Sequence, residues 1–427
     1  MKYILYMGGL LLFFTACSEA PKEPITAIVD YNSYLTTETR PTFELAMEQK
    51  DFWSARLRPD SSGVGDLAPL AGAYTSLFQT TGDANYLDHA VTLYTKGHHL
   101  AGSNKDSYAR ALAHTYISQH RFKEAKDILE ESYAGISNKH QTELMLFDVY
   151  MEVGEYMKAD KMLGKIKNPK DYHYLIRLSK WMDYKGNLDA AISYMEQAKD
   201  IAESRNTKSL KVWTYSNLGD YYGHAGRIKD AYEHYLMTLA LEPDNAYVKK
   251  GIAWIAYAAE GNTDEANRIL DSVMKNHNVP DYHLLKSELA AYSGNLTEAE
   301  MQQHLFLKAV NEGNYGDMYN AYLIAHYAEE NPEKALQLAI AEVQNRATPE
   351  TYHLLALAQL KNGNKKEALE TIETYVEGKT FEPMAQLHSA MVYKANGLAK
   401  KVVPLKEDLL TAAFELGPVT IQEVEKL

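Results

Sequence analysis

The sequence predicts an all-α solenoid of about ten helix–turn–helix repeats, and three observations support this prediction. A motif of about thirty-five residues recurs between Leu67 and Leu416. Each unit has a small or turn-forming residue where its first helix should end, and glycine or asparagine can take the left-handed conformation there. In seven units an alanine follows five residues later, and alanine lets two antiparallel helices pack closely.

The turn residues set the period of the array. We call the turn-forming residue that ends the first helix of each unit its marker. The ten markers are spaced 35 residues apart on average, and a tyrosine precedes the marker by four residues in six units. The markers are Gly82, His120, Gly154, Gly186, Gly226, Gly261, Gly294, Asn331, Gly363 and Gly397. The alanines are Ala125, Ala159, Ala191, Ala231, Ala266, Ala299 and Ala368, and the tyrosines are Tyr116, Tyr150, Tyr222, Tyr257, Tyr327 and Tyr393.

One unit, from Trp213 to Pro243, has the most complete pattern. Its small, aromatic and proline residues are Leu218, Gly219, Tyr222, Gly226, Ala231, Tyr235, Leu241 and Pro243. With this set of residues the unit resembles the tetratricopeptide repeat family. The resemblance implies a right-handed solenoid over residues 67–416. It also implies a scaffold that binds other proteins or peptides, because the family has no common chemistry.

Three units depart from the pattern. The first has Ala90 eight residues after its marker, so we expect an extended turn there. The last has Val402 in place of alanine, and the Asn331 unit has Ala335 one residue early. Terminal repeats of solenoids are often atypical because they must present a polar outer face.

The first sixteen residues have the pattern of a secretory signal. Lys2 precedes an apolar run from Tyr3 to Phe14, and small residues follow the run. The run is too short to span a bilayer permanently. We therefore expect residues 1–16 to be a signal peptide that is absent from the mature protein.

Cys17 is the only cysteine in the chain, and it follows Thr15 and Ala16 directly. This arrangement resembles a bacterial lipoprotein signal, in which the cysteine becomes the lipid-carrying first residue. The resemblance implies lipidation of Cys17. The alternative is an ordinary secretory peptide cut near Ala16 or Ala20, with an incidental cysteine.

The residues outside the signal peptide and the repeats are expected to form three further segments. Residues 17–40 are expected to be a tether, and residues 41–66 an N-terminal helical cap with a loop. Trp53 of the cap is expected to pack inward, or alternatively to form a sugar-stacking platform with the loop. Residues 417–427 are expected to be a short C-terminal tail.

Composition restricts the class of partner. The chain has 44 basic and 57 acidic residues, a net charge of −13. An acidic chain without a basic stripe argues against nucleic acid and against adsorption to anionic lipid. The mature chain would hold no disulfide of its own, so its stability must come from packing.

Catalytic and cofactor motifs are missing from the sequence. It has no nucleophile elbow, no Gly-rich phosphate loop and no paired-cysteine metal site. The densest histidine cluster is His98–His99 with His89 nearby, and packing explains it better than a metal site does. We therefore expect no enzyme activity, no cofactor and no metal, although an unrecognised histidine–carboxylate site is a third possibility.

Function is expected on the concave face, which the first helix of each repeat lines in the tetratricopeptide family. Counting back from each marker predicts a polar, mostly acidic lining that becomes small and apolar around Ile255, Ala258 and Ala259. Such a groove suits a peptide with a basic portion followed by an apolar one. The predicted groove residues are Arg110, His114, Asp148, Glu152, Lys180, Asp183, Tyr184, Asp220, His224, Glu288 and Tyr292.

These observations favour an envelope-anchored scaffold that binds a protein or peptide partner in its concave groove. The expected location is the bacterial cell envelope, at the outer membrane, through the N-terminal lipid. The alternative is a lipid-anchored glycan or nutrient receptor, for which only Trp53, Tyr184 and Tyr292 are candidate platform residues.

Overall fold

The structure is a computed structural model that describes residues 24–57, 63–102, 104–135 and 139–427. The predicted signal peptide, Cys17 and residues 58–62 of the predicted loop lie outside the described residues. Within the described ranges all regular secondary structure is helical. The helices are α1 (Ile28–Thr36), α2 (Pro41–Arg56), α3 (Val64–Thr81), α4 (Asn85–Leu100), α5 (Lys105–Ser118), α6 (Phe122–Ala134), α7 (Lys139–Glu152), α8 (Tyr156–Lys165), α9 (Tyr172–Tyr184), α10 (Leu188–Ser204), α11 (Lys208–His224), α12 (Ile228–Leu241), α13 (Ala246–Ala258), α14 (Thr263–Val273), α15 (Asp281–Tyr292), α16 (Leu296–Glu312), α17 (Asn320–Glu330), α18 (Pro332–Asn345), α19 (Pro349–Lys361), α20 (Lys365–Tyr375), α21 (Pro383–Ala395), α22 (Ala399–Thr411) and α23 (Ala413–Glu425).

Helices α3 to α22 form ten successive helical hairpins, which we number as repeats one to ten. The odd-numbered helix is the first helix of each repeat. Several successive first helices contact one another, as α7 contacts α9 and α19 contacts α21, and we call the surface that the first helices form the inner wall of the solenoid. The predicted all-α solenoid of ten helix–turn–helix repeats is confirmed.

Marker residues have the backbone conformation that the sequence predicted, with one exception. Nine of the ten have φ between +57° and +87°, and His120 is the one non-glycine residue among these nine. Asn331 instead has φ −151°, and its side chain accepts a hydrogen bond from the backbone N–H of Lys334. Asn331 therefore caps α18 directly, which shortens the turn and explains why Ala335 comes one residue early.

The solenoid closes on itself, because turns of the early repeats contact connections five or six repeats further along. The backbone N–H of Asn278 donates to the carbonyl of Thr81 at 2.9 Å. A Cβ on Gly154 would lie 2.4 Å from the carbonyl oxygen of Ala347, and one on Gly186 would lie 2.6 Å from the ring of Phe381. Each repeat therefore touches more than its neighbours, and the inner wall encloses a lumen.

Part of the expected tether is a helix. In α1, Tyr31 and Leu35 share one face and are buried against α12 and α14 of repeats five and six. The Tyr31 hydroxyl donates to Glu265 at 2.7 Å, and Lys249 Nζ donates to the Tyr34 carbonyl at 2.9 Å. The structure differs from the prediction here because the partners of α1 lie more than 200 residues away in sequence.

Helix α2 packs against α3, the first helix of repeat one, as a cap would. Trp53 is only half-buried, and its ring meets Phe52 edge-on at 5.0 Å between centroids. The Arg56 guanidinium lies 5.5 Å from the Trp53 centroid. Trp53 therefore packs at the edge of the cap and is not part of the core.

The expected C-terminal tail is also helical. Helix α23 is kinked at Gly417 and packs on α11, α13 and α15, the first helices of repeats five to seven. Trp254 Nε1 donates to the Phe414 carbonyl at 3.0 Å, and Phe414 lies against Gly223. The chain therefore covers part of its own inner wall with its C-terminal helix.

No helix in the described ranges combines the length and the apolar character that crossing a bilayer requires.

The packing of α23 can be tested with two glycine substitutions. Gly417 and Gly397 both have positive φ, and an alanine at Gly397 should cost roughly 1–2 kcal/mol of backbone strain. An alanine at Gly417 should cost more, because φ 78° with ψ 158° is a conformation that essentially only glycine adopts. At Gly417 the new Cβ would also meet Glu288 at 2.6 Å and Trp254 at 2.7 Å, whereas nothing lies within 4 Å at Gly397. We expect Gly417→Ala to lose at least about 1 kcal/mol more than Gly397→Ala in urea unfolding. Equal losses would contradict this packing of α23.

Candidate functional site

The lumen contains a cavity of about 350 Å³, which we call the acidic pocket. One wall is formed by the first helices of repeats three to five. The opposite wall is formed by the connections that precede repeats nine and ten, together with α23. The lining residues are Met151, Glu152, Tyr156, Lys180, Asp183, Tyr184, Gly186, Leu188, His224, Arg346, Glu350, Thr380, Phe381, Glu382, Pro383 and Glu415.

Helix periodicity positions the first wall. On α9, Lys180, Asp183 and Tyr184 are three and four residues apart and therefore share one face. Glu152 and His224 are the last residues of α7 and α11, so they lie at the same end of their helices as Tyr184. Leu175 and Ser179, on the adjoining face of α9, are buried in the core.

The second wall comes from the seam between superhelical turns. Arg346 and Glu350 flank the start of α19, and Glu382 immediately precedes α21. Phe381 is held against Gly186, where any side chain larger than hydrogen would clash with its ring. This contact fixes the connection that carries Glu382 beside the end of α9.

One carboxylate of the acidic pocket is compensated by cations. Glu152 accepts a hydrogen bond from Lys180 Nζ at 2.8 Å and lies 3.4 Å from Arg346 Nη2. Burial alone would raise the pKa of Glu152, but Lys180 and Arg346 outweigh it and hold this pKa below its ordinary value. Burial alone would lower the pKa of Lys180, but Glu152 and Asp148 hold it above its ordinary value.

The remaining carboxylates, those of Asp183, Glu350, Glu382 and Glu415, form no ion pair with Lys or Arg among the described residues. Burial in the pocket, reinforced by Glu415, Asp183 and Glu350, raises the pKa of Glu382 to about 7. Burial also raises the pKa of Asp183 and that of Glu415, although His224 opposes both shifts. Like charges that face one another in a concave site disfavour ionisation, so this cluster has an unmet demand for positive charge.

The structure brings five of the eleven predicted groove residues to this pocket: Glu152, Lys180, Asp183, Tyr184 and His224. Arg110 donates to the Thr142 hydroxyl at 3.3 Å, and burial lowers the pKa of His114. Both residues, together with Asp148, Asp220, Glu288 and Tyr292, lie outside the pocket lining.

Asp148 and Asp220, two of those six residues, bind side chains of neighbouring helices. Asp148 pairs with Arg177 at 2.5 Å. Asp220 accepts hydrogen bonds from the Tyr235 and Tyr247 hydroxyls at 2.8 and 2.6 Å. These carboxylates hold neighbouring helices together.

Glu288 and the apolar section of the predicted groove face the chain's own C-terminal helix. Glu288 accepts from the Tyr257 hydroxyl at 2.9 Å and lies against Gly417. Ile255 is fully buried on α13, which packs on α23. Helix α23 therefore packs beside Ile255 and Glu288 of the predicted groove, whereas Ala259 is exposed.

Sequence reasoning missed the second wall. Arg346, Phe381 and Glu382 lie in connections between repeats, where residues have no fixed position relative to the marker. Tyr156 begins a second helix, and its ring stacks on Tyr184 with 4.3 Å between centroids. No periodic signal in the sequence distinguishes these residues from others in connections.

Within the described ranges, no three His, Cys, Asp or Glu side chains converge as a metal site would require. The rings of His98 and His99 are 6.0 Å apart, and His89 packs on Tyr74 with 4.9 Å between centroids.

Among known proteins, similarity is found only to solved structures. No family model matches the chain, and no curated protein matches it. The yeast Tom70 structure is 14% identical over 90% of this chain and 95% of its own, with a TM-score of 0.40. A tetratricopeptide repeat protein from Parabacteroides merdae is 12% identical over 63% of this chain and 93% of its own, with a TM-score of 0.38. PilW, a type IV pilus biogenesis factor, is 15% identical over 51% of this chain and 99% of its own, with a TM-score of 0.39.

Burial of Glu288 can be tested through the pH dependence of stability. Burial raises the pKa of Glu288 to about 7, well above its value in an unfolded chain. The folded protein therefore binds the extra proton between about pH 4.5 and 7, and stability falls as pH rises through this window. Glu288→Gln removes this dependence and keeps an acceptor for Tyr257. We expect it to raise Tm by at least about 2 °C at pH 8 and by less at pH 5.

The matched control for this experiment is Glu370→Gln, on the exposed face of α20. We expect it to change Tm equally at the two pH values. A pH-independent effect of Glu288→Gln would show that the carboxyl group is not buried against α23.

Proposed function

We propose that this protein is an envelope-anchored scaffold that captures a basic segment of a protein partner in the acidic pocket. The supporting observation is the cluster of Asp183, Glu350, Glu382 and Glu415, which form no ion pair with Lys or Arg in the described part of the chain. In the same pocket two cations compensate Glu152, so the shortage of positive charge is confined to the other carboxylates.

A lysine or arginine side chain suits this arrangement. Its charged end would donate charge-assisted hydrogen bonds to the pocket carboxylates, and these are stronger than neutral hydrogen bonds. Its apolar stem would pack on Tyr184 and Phe381, which line the same cavity. The gain in binding comes from relief of carboxylate repulsion that the free protein already contains.

Membrane attachment is the second part of the proposal. It rests on the sequence, where Cys17 follows Thr15 and Ala16 at the end of a secretory signal. Residues 24–27, the first described, lie beside repeat six, where the backbone N–H of Thr26 donates to Glu260 at 2.6 Å. A lipid at Cys17 would hold this side of the solenoid near the membrane and leave the partner to enter from elsewhere.

The glycan-receptor alternative has less support from the geometry. Its three candidate rings each pack on a different aromatic neighbour: Trp53 on Phe52, Tyr184 on Tyr156, and Tyr292 on Tyr257. No common platform of these three rings follows from such contacts.

Capture of a basic peptide can be measured directly. The probe is a fluorescein-labelled decapeptide of alternating lysine and alanine, followed by fluorescence anisotropy. We expect Asp183→Lys combined with Glu382→Lys to weaken binding at least tenfold, because two attractive charges become repulsive. Binding should also weaken with added salt, since the screening length is about 8 Å at physiological ionic strength. Because Glu382 has a pKa of about 7, binding should strengthen from pH 6 to pH 8.

The control is Asp200→Lys combined with Glu370→Lys, which makes the same change in net charge on the outer surface. If both double variants lose affinity equally, the attraction is to the net charge of the protein and not to the pocket. Circular dichroism and Tm show whether each variant remains folded.

The anchor is tested separately. We expect Cys17→Ser to move the protein from the membrane pellet to the soluble fraction without a change in helical content. Each buried methylene of an acyl chain contributes about 0.8 kcal/mol, so loss of the lipid removes most of the membrane affinity. A variant that still pellets after a high-salt wash would overturn the lipid anchor.

A further inference from the structure

Next to the acidic pocket lies a second cavity of about 460 Å³, which we call the aromatic cleft. Two stacked pairs of tyrosines line it. The rings of Tyr352 and Tyr375 are 3.9 Å apart with planes 6° apart, and those of Tyr156 and Tyr184 are 4.3 Å apart. The full lining is Tyr156, Tyr184, Lys185, Ala347, Pro349, Tyr352, Tyr375, Gly378, Lys379 and Phe381.

Several tyrosine hydroxyls of this chain donate to carboxylates, as Tyr150 does to Glu130 and Tyr222 to Glu196. Among the described residues, none of the four cleft hydroxyls has a hydrogen-bond partner. Two of the cleft's aromatic side chains, Tyr375 and Phe381, are 41% and 56% exposed. The four hydroxyls are therefore available to donate to acceptor atoms of a ligand.

The polar side chains that line the aromatic cleft are hydrogen-bond donors. Burial raises the pKa of Tyr184 and that of Tyr352, so these hydroxyls keep their protons at neutral pH. The other two polar side chains are Lys185 and Lys379, and a lysine side chain carries hydrogen-bond donors but no acceptor atom. No Asp, Glu, Asn or Gln side chain lines this cavity, so its side chains offer more donors than acceptors.

A proline-rich segment has the complementary chemistry. Proline has no backbone N–H, so a run of prolines presents carbonyl acceptors without donors. The extended polyproline helix is preformed, so it loses little entropy when it docks on aromatic rings. From this match we propose that the aromatic cleft binds a proline-rich, extended segment of the partner.

The two cavities share a wall, since Tyr156, Tyr184 and Phe381 line both. A peptide that lays its prolines on these rings would bring an adjacent lysine or arginine to the carboxylates of Glu350 and Glu382. The inference thus rests on the proposed function and narrows its partner. The ligand is a proline-rich peptide with a basic residue at one end.

Three labelled probes of equal length test this inference by fluorescence anisotropy. The first has six prolines followed by an arginine, the second replaces the prolines by glycine and serine, and the third keeps the prolines but replaces the arginine by glutamine. We expect the first probe to bind at least tenfold more tightly than either of the others. Tyr352→Ala and Tyr375→Ala should abolish the advantage of proline, whereas Glu382→Gln should abolish the advantage of arginine.

Two further variants identify the role of the cleft. Tyr375→Phe keeps the ring and removes the hydroxyl, so it should lose part of the affinity that Tyr375→Ala loses. Tyr292→Ala removes an exposed ring elsewhere on the inner wall and should leave all three probes unchanged. Helical content and Tm are compared with those of the unaltered protein.

The outcomes separate the two proposals. If the first two probes bind equally well and both depend on Glu382, the proline inference fails and the acidic pocket stands. If no probe that carries arginine binds, the proposed function fails as well. Binding of an unlabelled oligosaccharide that is lost in Tyr375→Ala, without binding of the first probe, would overturn the peptide assignment in favour of a glycan.

Discussion

The close approach of glycine turns to connections five or six repeats away is the constraint on which the structure depends. At Gly82, Gly154 and Gly186 a positive φ ends the first helix, and a Cβ there would also collide with Val279, Ala347 or Phe381. One residue type therefore satisfies two requirements, a local turn and a long-range contact. Because these contacts close the superhelix, side chains that are far apart in sequence meet across the lumen, and the acidic pocket and the aromatic cleft both lie at this seam.

Sequence predicted the repeats well because each repeat solves the same local problem. Most first helices end at a left-handed residue, and a small residue lets the second helix approach, so the signal recurs in most of the ten units. The helices α1 and α23 were not predicted because they occur once each and gain their stability from distant partners. Tyr31 bonds to Glu265, and Trp254 bonds to the Phe414 carbonyl, at separations of 234 and 160 residues.

The candidate site was likewise predictable from the sequence only in part. Counting along the first helices places Lys180, Asp183 and Tyr184 on the inner wall, because helix geometry fixes which residues share a face. The same counting cannot separate these from Asp220, which is engaged by two tyrosine hydroxyls. Nor can it reach Glu382, because a connection between repeats has no fixed register and its position is set by the contact of Phe381 with Gly186.

A cluster of carboxylates that face one another costs stability, so its presence calls for an explanation beyond packing. Glu152, with Lys180 and Arg346 beside it, shows that this fold can compensate an acid in the lumen. The neighbouring Glu382 lacks such a partner, and its pKa of about 7 means that it carries a proton in about half of the molecules at neutral pH. A cationic ligand would displace this proton, since it stabilises the charged form. If the pocket captures such a ligand, capture is linked to proton release, and a change of pH near neutrality alters the affinity.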